Sequence, residues 1–63
     1  MPTIIMKKTV AGSYYEAIYI EGITEEDLGN VKIYYENKGY VEGTWEEYEQ
    51  ANIIIETRYG KTT

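Results

Sequence analysis

Glu25, Glu26 and Asp27 form one run of carboxylates, and Glu46, Glu47 and Glu49 form a second around Tyr48. Side chains of this type can ligate a hard cation, share general acid and base work, or present negative charge to a basic partner. The cation reading is weak, because neither run has the alternating ligands, central glycine and distal glutamate of a calcium loop. Acid and base chemistry by paired carboxylates needs a walled cleft, which a chain of 63 residues can hardly build. Histidine and cysteine are both absent, so the commonest general base and the readiest nucleophile are missing, and Ser13 sits in a turn without a base of the usual type. The sequence therefore predicts a protein that is not an enzyme and holds no metal or other cofactor.

Presentation of charge is the remaining use. All eleven acidic residues lie between Glu16 and Glu56, a stretch with only Lys32 and Lys38 as basic residues, while Lys7, Lys8, Arg58 and Lys61 make the ends basic. Such a surface repels nucleic acid and membrane headgroups and attracts a basic protein groove. The eight tyrosines add large contact area at low rotamer cost. The partner-binding residues expected on this basis are Glu25, Glu26, Asp27, Glu46, Glu47, Tyr48 and Glu49, with Tyr48 as an exposed aromatic contact and Trp45 in the core.

The elements that must position these groups follow from pattern. Thr3 to Val10 and Tyr14 to Glu21 alternate as strands around the Ala11-Gly12-Ser13 break and form a hairpin. Thr24 caps a short helical turn over 24–28, stopped by Gly29. Val31 to Glu36 reads as a strand that turns through Asn37-Lys38-Gly39 into Tyr40 to Glu42. Thr44-Trp45-Glu46-Glu47 matches a capping box, which predicts the main helix over 44–51, and Asn52 to Tyr59 reads as the last strand. The expected fold is α+β, an antiparallel sheet of four to five strands with one main helix. The alternative is an all-β small barrel or sandwich. The expected core is Ile4, Met6, Ile18, Ile20, Leu28, Val31, Ile33, Ile53 and Ile55.

A weak internal echo relates Tyr14-Tyr15-Glu16 and Asn30 to Ile33 with Tyr34-Tyr35-Glu36 and Asn52 to Ile55, as a duplication of strand, acidic turn and strand would. The chain is expected to be a single small domain over 1–63 with a frayed tail at 60–63. A domain of this size buries only roughly 60% of its unfolded surface, and without disulfides or zinc the usual supplement is a homodimer. No apolar run approaches a bilayer span and no signal peptide pattern opens the chain, which suggests the cytoplasm.

The leading functional expectation is a small acidic inhibitor that occludes a basic, nucleic-acid-binding surface on a partner protein. Phage anti-defence inhibitors and antitoxins work this way, an analogy of size and charge. The alternatives are an assembly module pairing through a strand edge and a small-ligand binder with tyrosines lining a pocket at a homodimer interface.

Overall fold

The computed structural model describes residues 2–59. The elements run β1 (Ile4–Ala11), β2 (Tyr14–Glu21), α1 (Glu25–Glu36), β3 (Val41–Glu42), α2 (Trp45–Glu49) and β4 (Ile53–Arg58). The fold is α+β, built on an open four-stranded sheet in the order β3-β1-β2-β4, so the all-β alternative does not apply. The expected tail at 60–63 lies outside the described residues.

The β1-β2 hairpin forms where alternation and a turn glycine agree. Ile4 pairs with Ile20 and Met6 with Ile18, which puts all four on one face, and Gly12 supplies the turn with a φ of 56°. Along this face lie Ile55 and Thr57 of β4, opposite Ile18 and Ile20. β4 runs parallel to β2, so the sheet is mixed rather than wholly antiparallel. The reversal of direction comes from the connection. After α1 covers one face, the chain enters the β3 edge, and α2 then carries it across the opposite face to the far edge.

The main helix is α1, over 25–36, and not the 44–51 segment. Thr24 Oγ1 accepts from the Asp27 N–H at 3.2 Å, and three carboxylates occupy the first turn, where the backbone dipole favours them. Ile23 and Leu28 stand at the two hydrophobic-staple positions and both join the core. Leu28, Val31 and Tyr35 then recur at helical spacing and face the sheet. The strand expected over Val31 to Glu36 rested on an equally good period of two. Gly29, expected as a helix stop, lies inside α1, and tertiary packing outweighs its cost of about 1 kcal/mol.

α1 ends in a Schellman turn. Tyr40 N–H reaches the Tyr35 carbonyl and Gly39 N–H the Glu36 carbonyl, both at 3.0 Å, with Gly39 at a φ of 96°. Gly39 therefore turns a helix into a strand instead of closing the expected hairpin.

The core on this face is Ile4, Met6, Ile18, Ile20, Ile23 and Val31, with Leu28, Tyr35, Tyr40 and Ile55 packed against it. Two expected members are misplaced. Ile33 is 55% exposed because it lies on the outer side of a helix, and Ile53 is exposed because it stands opposite Glu16, beyond the buried Ile18 and Ile20. Ile23, absent from the expected core, is fully buried. The internal echo does not map onto two like units either, since Asn30 to Ile33 is helical whereas Ile53 to Ile55 is strand.

Candidate partner-binding surface

The second carboxylate run is held by α2, whose start is fixed locally. Glu47 N–H donates to Thr44 Oγ1 at 3.1 Å, and Thr44 N–H donates to Glu47 Oε1 at 2.8 Å, completing the capping box predicted from sequence. The helix is shorter than expected, ending at Glu49. It is bound to the hairpin from below: Lys7 Nζ donates to Glu47 Oε2, and Tyr15 Oη donates to the Glu47 carbonyl at 2.6 Å. The Lys7 ammonium and the cap at Thr44 hold the Glu47 carboxyl below the usual carboxylate range. Glu47 is thus committed to the fold, and its charge is largely answered.

The aromatic roles are the reverse of those expected. Tyr48 is 7% exposed, with burial pushing its phenol above the usual tyrosine value, whereas Trp45 is 52% exposed. A five-residue helix can turn one ring fully under itself. Tyr48 takes that place against the sheet, and the indole stacks on it with ring centroids 5.4 Å apart and 23° between planes. Tyr19 meets the indole edge-on at 5.5 Å. The Trp45 ring is therefore rigidly backed yet open on its outer side. Glu46 and Glu49 are exposed on the same helix, and Glu56 pairs in register with Tyr19 on this face of the sheet. Ala17 also points to this face, fully buried.

The first run, Glu25, Glu26 and Asp27, stands at the start of α1 on the other side of the sheet. Glu25 and Glu26 are exposed and Asp27 is half-buried. The sheet divides the seven expected contact residues into two surfaces, and only Glu46, Glu47, Tyr48 and Glu49 are brought together. Among the described residues no group of three or more acidic side chains converges as a metal site would require.

The lysines decide how much of the acidic charge is left. Lys7 pairs with Glu47, Lys32 pairs with Glu42 at 3.0 Å, Lys38 lies 4.9 Å over the Tyr34 ring, and Lys8 lies 5.7 Å over the Tyr40 ring. Tyr40 in turn donates to Glu16, and that hydrogen bond pushes its phenol up to about 12. Glu46, Glu49 and Glu56 on the α2 side, and Glu25, Glu26 and Asp27 on the α1 side, form no ion pair among the described residues.

An open groove of about 410 Å³ runs between α1 and β4, lined by Val31, Tyr34, Tyr35, Thr57, Arg58 and Tyr59 among others. Among the described residues no helix is long and apolar enough to cross a membrane. No family model matches the chain, no curated protein matches it, and no solved structure matches it.

Proposed function

We propose that the protein is a small acidic binding protein that occludes a basic, nucleic-acid-binding surface on a partner protein. The observation that carries this reading is the pattern of lysine use: four lysines are engaged locally, leaving most carboxylates outward and unpaired among the described residues. Outward carboxylates substitute for phosphates on such a surface, and long-range attraction accelerates encounter. On the α2 side, Trp45 supplies the rigid aromatic anchor that a hot spot needs, with Glu46 and Glu49 exposed on the same short helix. Tyr48 supports that anchor from beneath, and Glu47 fixes the helix that carries it. The α1 carboxylates extend the negative field around the other side without touching the same patch.

The test is capture on immobilised protein from cells that carry the chain, with elution by duplex DNA as competitor and by rising salt. Captured proteins should be nucleic-acid binders released by both eluants. A Glu46→Lys/Glu49→Lys variant should associate with the captured partner at least several-fold more slowly at low salt, the difference shrinking as salt rises. Retention indifferent to salt, to DNA and to these reversals would overturn the reading.

A further inference from the structure

We propose that β4 is a self-association edge, and that two copies of this chain pair antiparallel through it, centred on Thr57, to make one continuous eight-stranded sheet. This pairing is independent of the acidic-surface reading. The opposite edge of the sheet, β3, is two residues long, whereas β4 offers six residues. Within Ile53–Arg58 there is no proline or lysine, and the two charges it carries, Glu56 and Arg58, are of opposite sign, so a second copy can answer them instead of being repelled.

The backbone shows which groups are free to pair. Tyr59 N–H donates to the Glu21 carbonyl at 2.8 Å in the parallel ladder with β2. Because successive residues of a strand turn their N–H and C=O to alternate sides, Ile54, Glu56 and Arg58 direct theirs away from β2. An antiparallel partner must place outward-facing residues opposite one another, so a two-fold axis falls on a residue and never between two.

Charge then selects the residue. With the axis on Glu56, two carboxylates face each other. With it on Ile55, Glu56 faces the partner's Ile54 and every charge is left alone. With it on Thr57, each Glu56 stands opposite the partner's Arg58, both in hydrogen-bonded positions, giving two cross-strand ion pairs per dimer. Neither side chain has an ion-pair partner within its own chain among the described residues. The same register sets Ile55 opposite the partner's Tyr59 on the α1 side, which closes the outer rim of the groove lined by Thr57, Tyr34 and Tyr59.

The experiment is sedimentation velocity of the whole chain from micromolar to millimolar concentration, with far-UV circular dichroism to verify folding. The wild type should show a concentration-dependent dimer. Glu56→Arg and Arg58→Glu should each raise the dimer Kd at least about tenfold, because each turns both attractive pairs into repulsive ones. The Glu56→Arg/Arg58→Glu double variant should recover most of the loss. A wild type that stays monomeric throughout overturns the proposal, and so does a dimer indifferent to the single reversals. If either single variant is unfolded by circular dichroism, the double variant and the wild type still decide: a folded double variant that does not dimerise beside a dimeric wild type refutes the register.

Discussion

Ile23 and Ile33 are ten residues apart in sequence and have opposite fates, which makes their truncation a direct measure of the fold. Ile23 is fully buried beside Ile20 and Val31, so Ile23→Ala should cost about 2–5 kcal/mol in lost transfer energy and residual cavity. The whole domain holds only about 3–9 kcal/mol at the usual stability per residue. With a urea slope of about 1 kcal/mol per molar for so small a chain, the midpoint should fall by about 2 M or more, leaving the variant partly unfolded in buffer. Ile33 is 55% exposed on the outer side of α1. Its truncation forfeits about 1 kcal/mol of partial burial and regains a few tenths from the better helix propensity of alanine, for a net cost of about 0.5 kcal/mol. Urea titrations followed by circular dichroism and by Trp45 fluorescence would read both. Were Ile33→Ala as damaging as Ile23→Ala, residues 31–36 would be a strand with Ile33 facing inward, and the helical assignment would be refuted.

Gly29→Ala should stabilise the protein by about 1 kcal/mol, since the site is mid-helix and an added methyl meets nothing within 4 Å, and a raised urea midpoint would verify it. Gly22→Ala should instead destabilise by more than about 1 kcal/mol, because φ is 79° and the new Cβ would lie 2.7 Å from the Tyr59 carbonyl oxygen; an unchanged midpoint would contradict this. The Glu47 carboxyl is depressed in the folded state, chiefly by the hydrogen bond from Lys7, so its stabilisation is present above the ordinary carboxylate range and lost as pH falls through the folded value. Glu47→Gln should therefore show a shallower loss of midpoint between neutral pH and pH 3 than the wild type. Tyr40 is raised to about 12 by its hydrogen bond to Glu16, so its contribution is complete below the ordinary tyrosine value near 10 and disappears between there and about 12. Tyr40→Phe should flatten that alkaline limb, as measured by thermal melts at fixed pH.

Features encoded by neighbouring residues were legible in the sequence, and those set by distant partners were not. Thr44 and Glu47 announce the α2 capping box because both halves of it lie within four residues. The β1-β2 hairpin is equally local, alternation on either side of Gly12 being sufficient. For residues 31–36 two periods compete: Val31, Ile33 and Tyr35 fit a strand, while Leu28, Val31 and Tyr35 fit a helix. Only packing against Met6, Ile18 and Ile20 decides between them. The Thr24 cap, the acidic first turn and the staple of Ile23 with Leu28 were the signals that favoured a longer helix. The exchange of Trp45 and Tyr48 depends on Lys7 and Tyr15, which anchor α2 from far away in the chain. The direction of β4 leaves no mark in its own six residues, because it follows from the β3-α2-β4 crossover, in which α2 returns the chain to the end of the sheet where β3 began.

The parallel pairing of β2 with β4 has a kinetic consequence. Between the two strands lies the whole segment from Gly22 to Asn52, which must be drawn into a closed ring before the first ladder bond forms. Closing a loop of that length costs about 3 kcal/mol of chain entropy, before any contact repays it, whereas the β1-β2 hairpin closes over two residues in microseconds. The hairpin with α1 laid on it is therefore the natural nucleus, and β4 docks late, after the main barrier. Substitutions in β4 should then alter the rate at which the protein opens far more than the rate at which it folds. Under the β4 pairing proposed above, the strand that completes the fold would also be the one that meets a second copy, and the lifetime of the native state would then rise with the concentration of the chain.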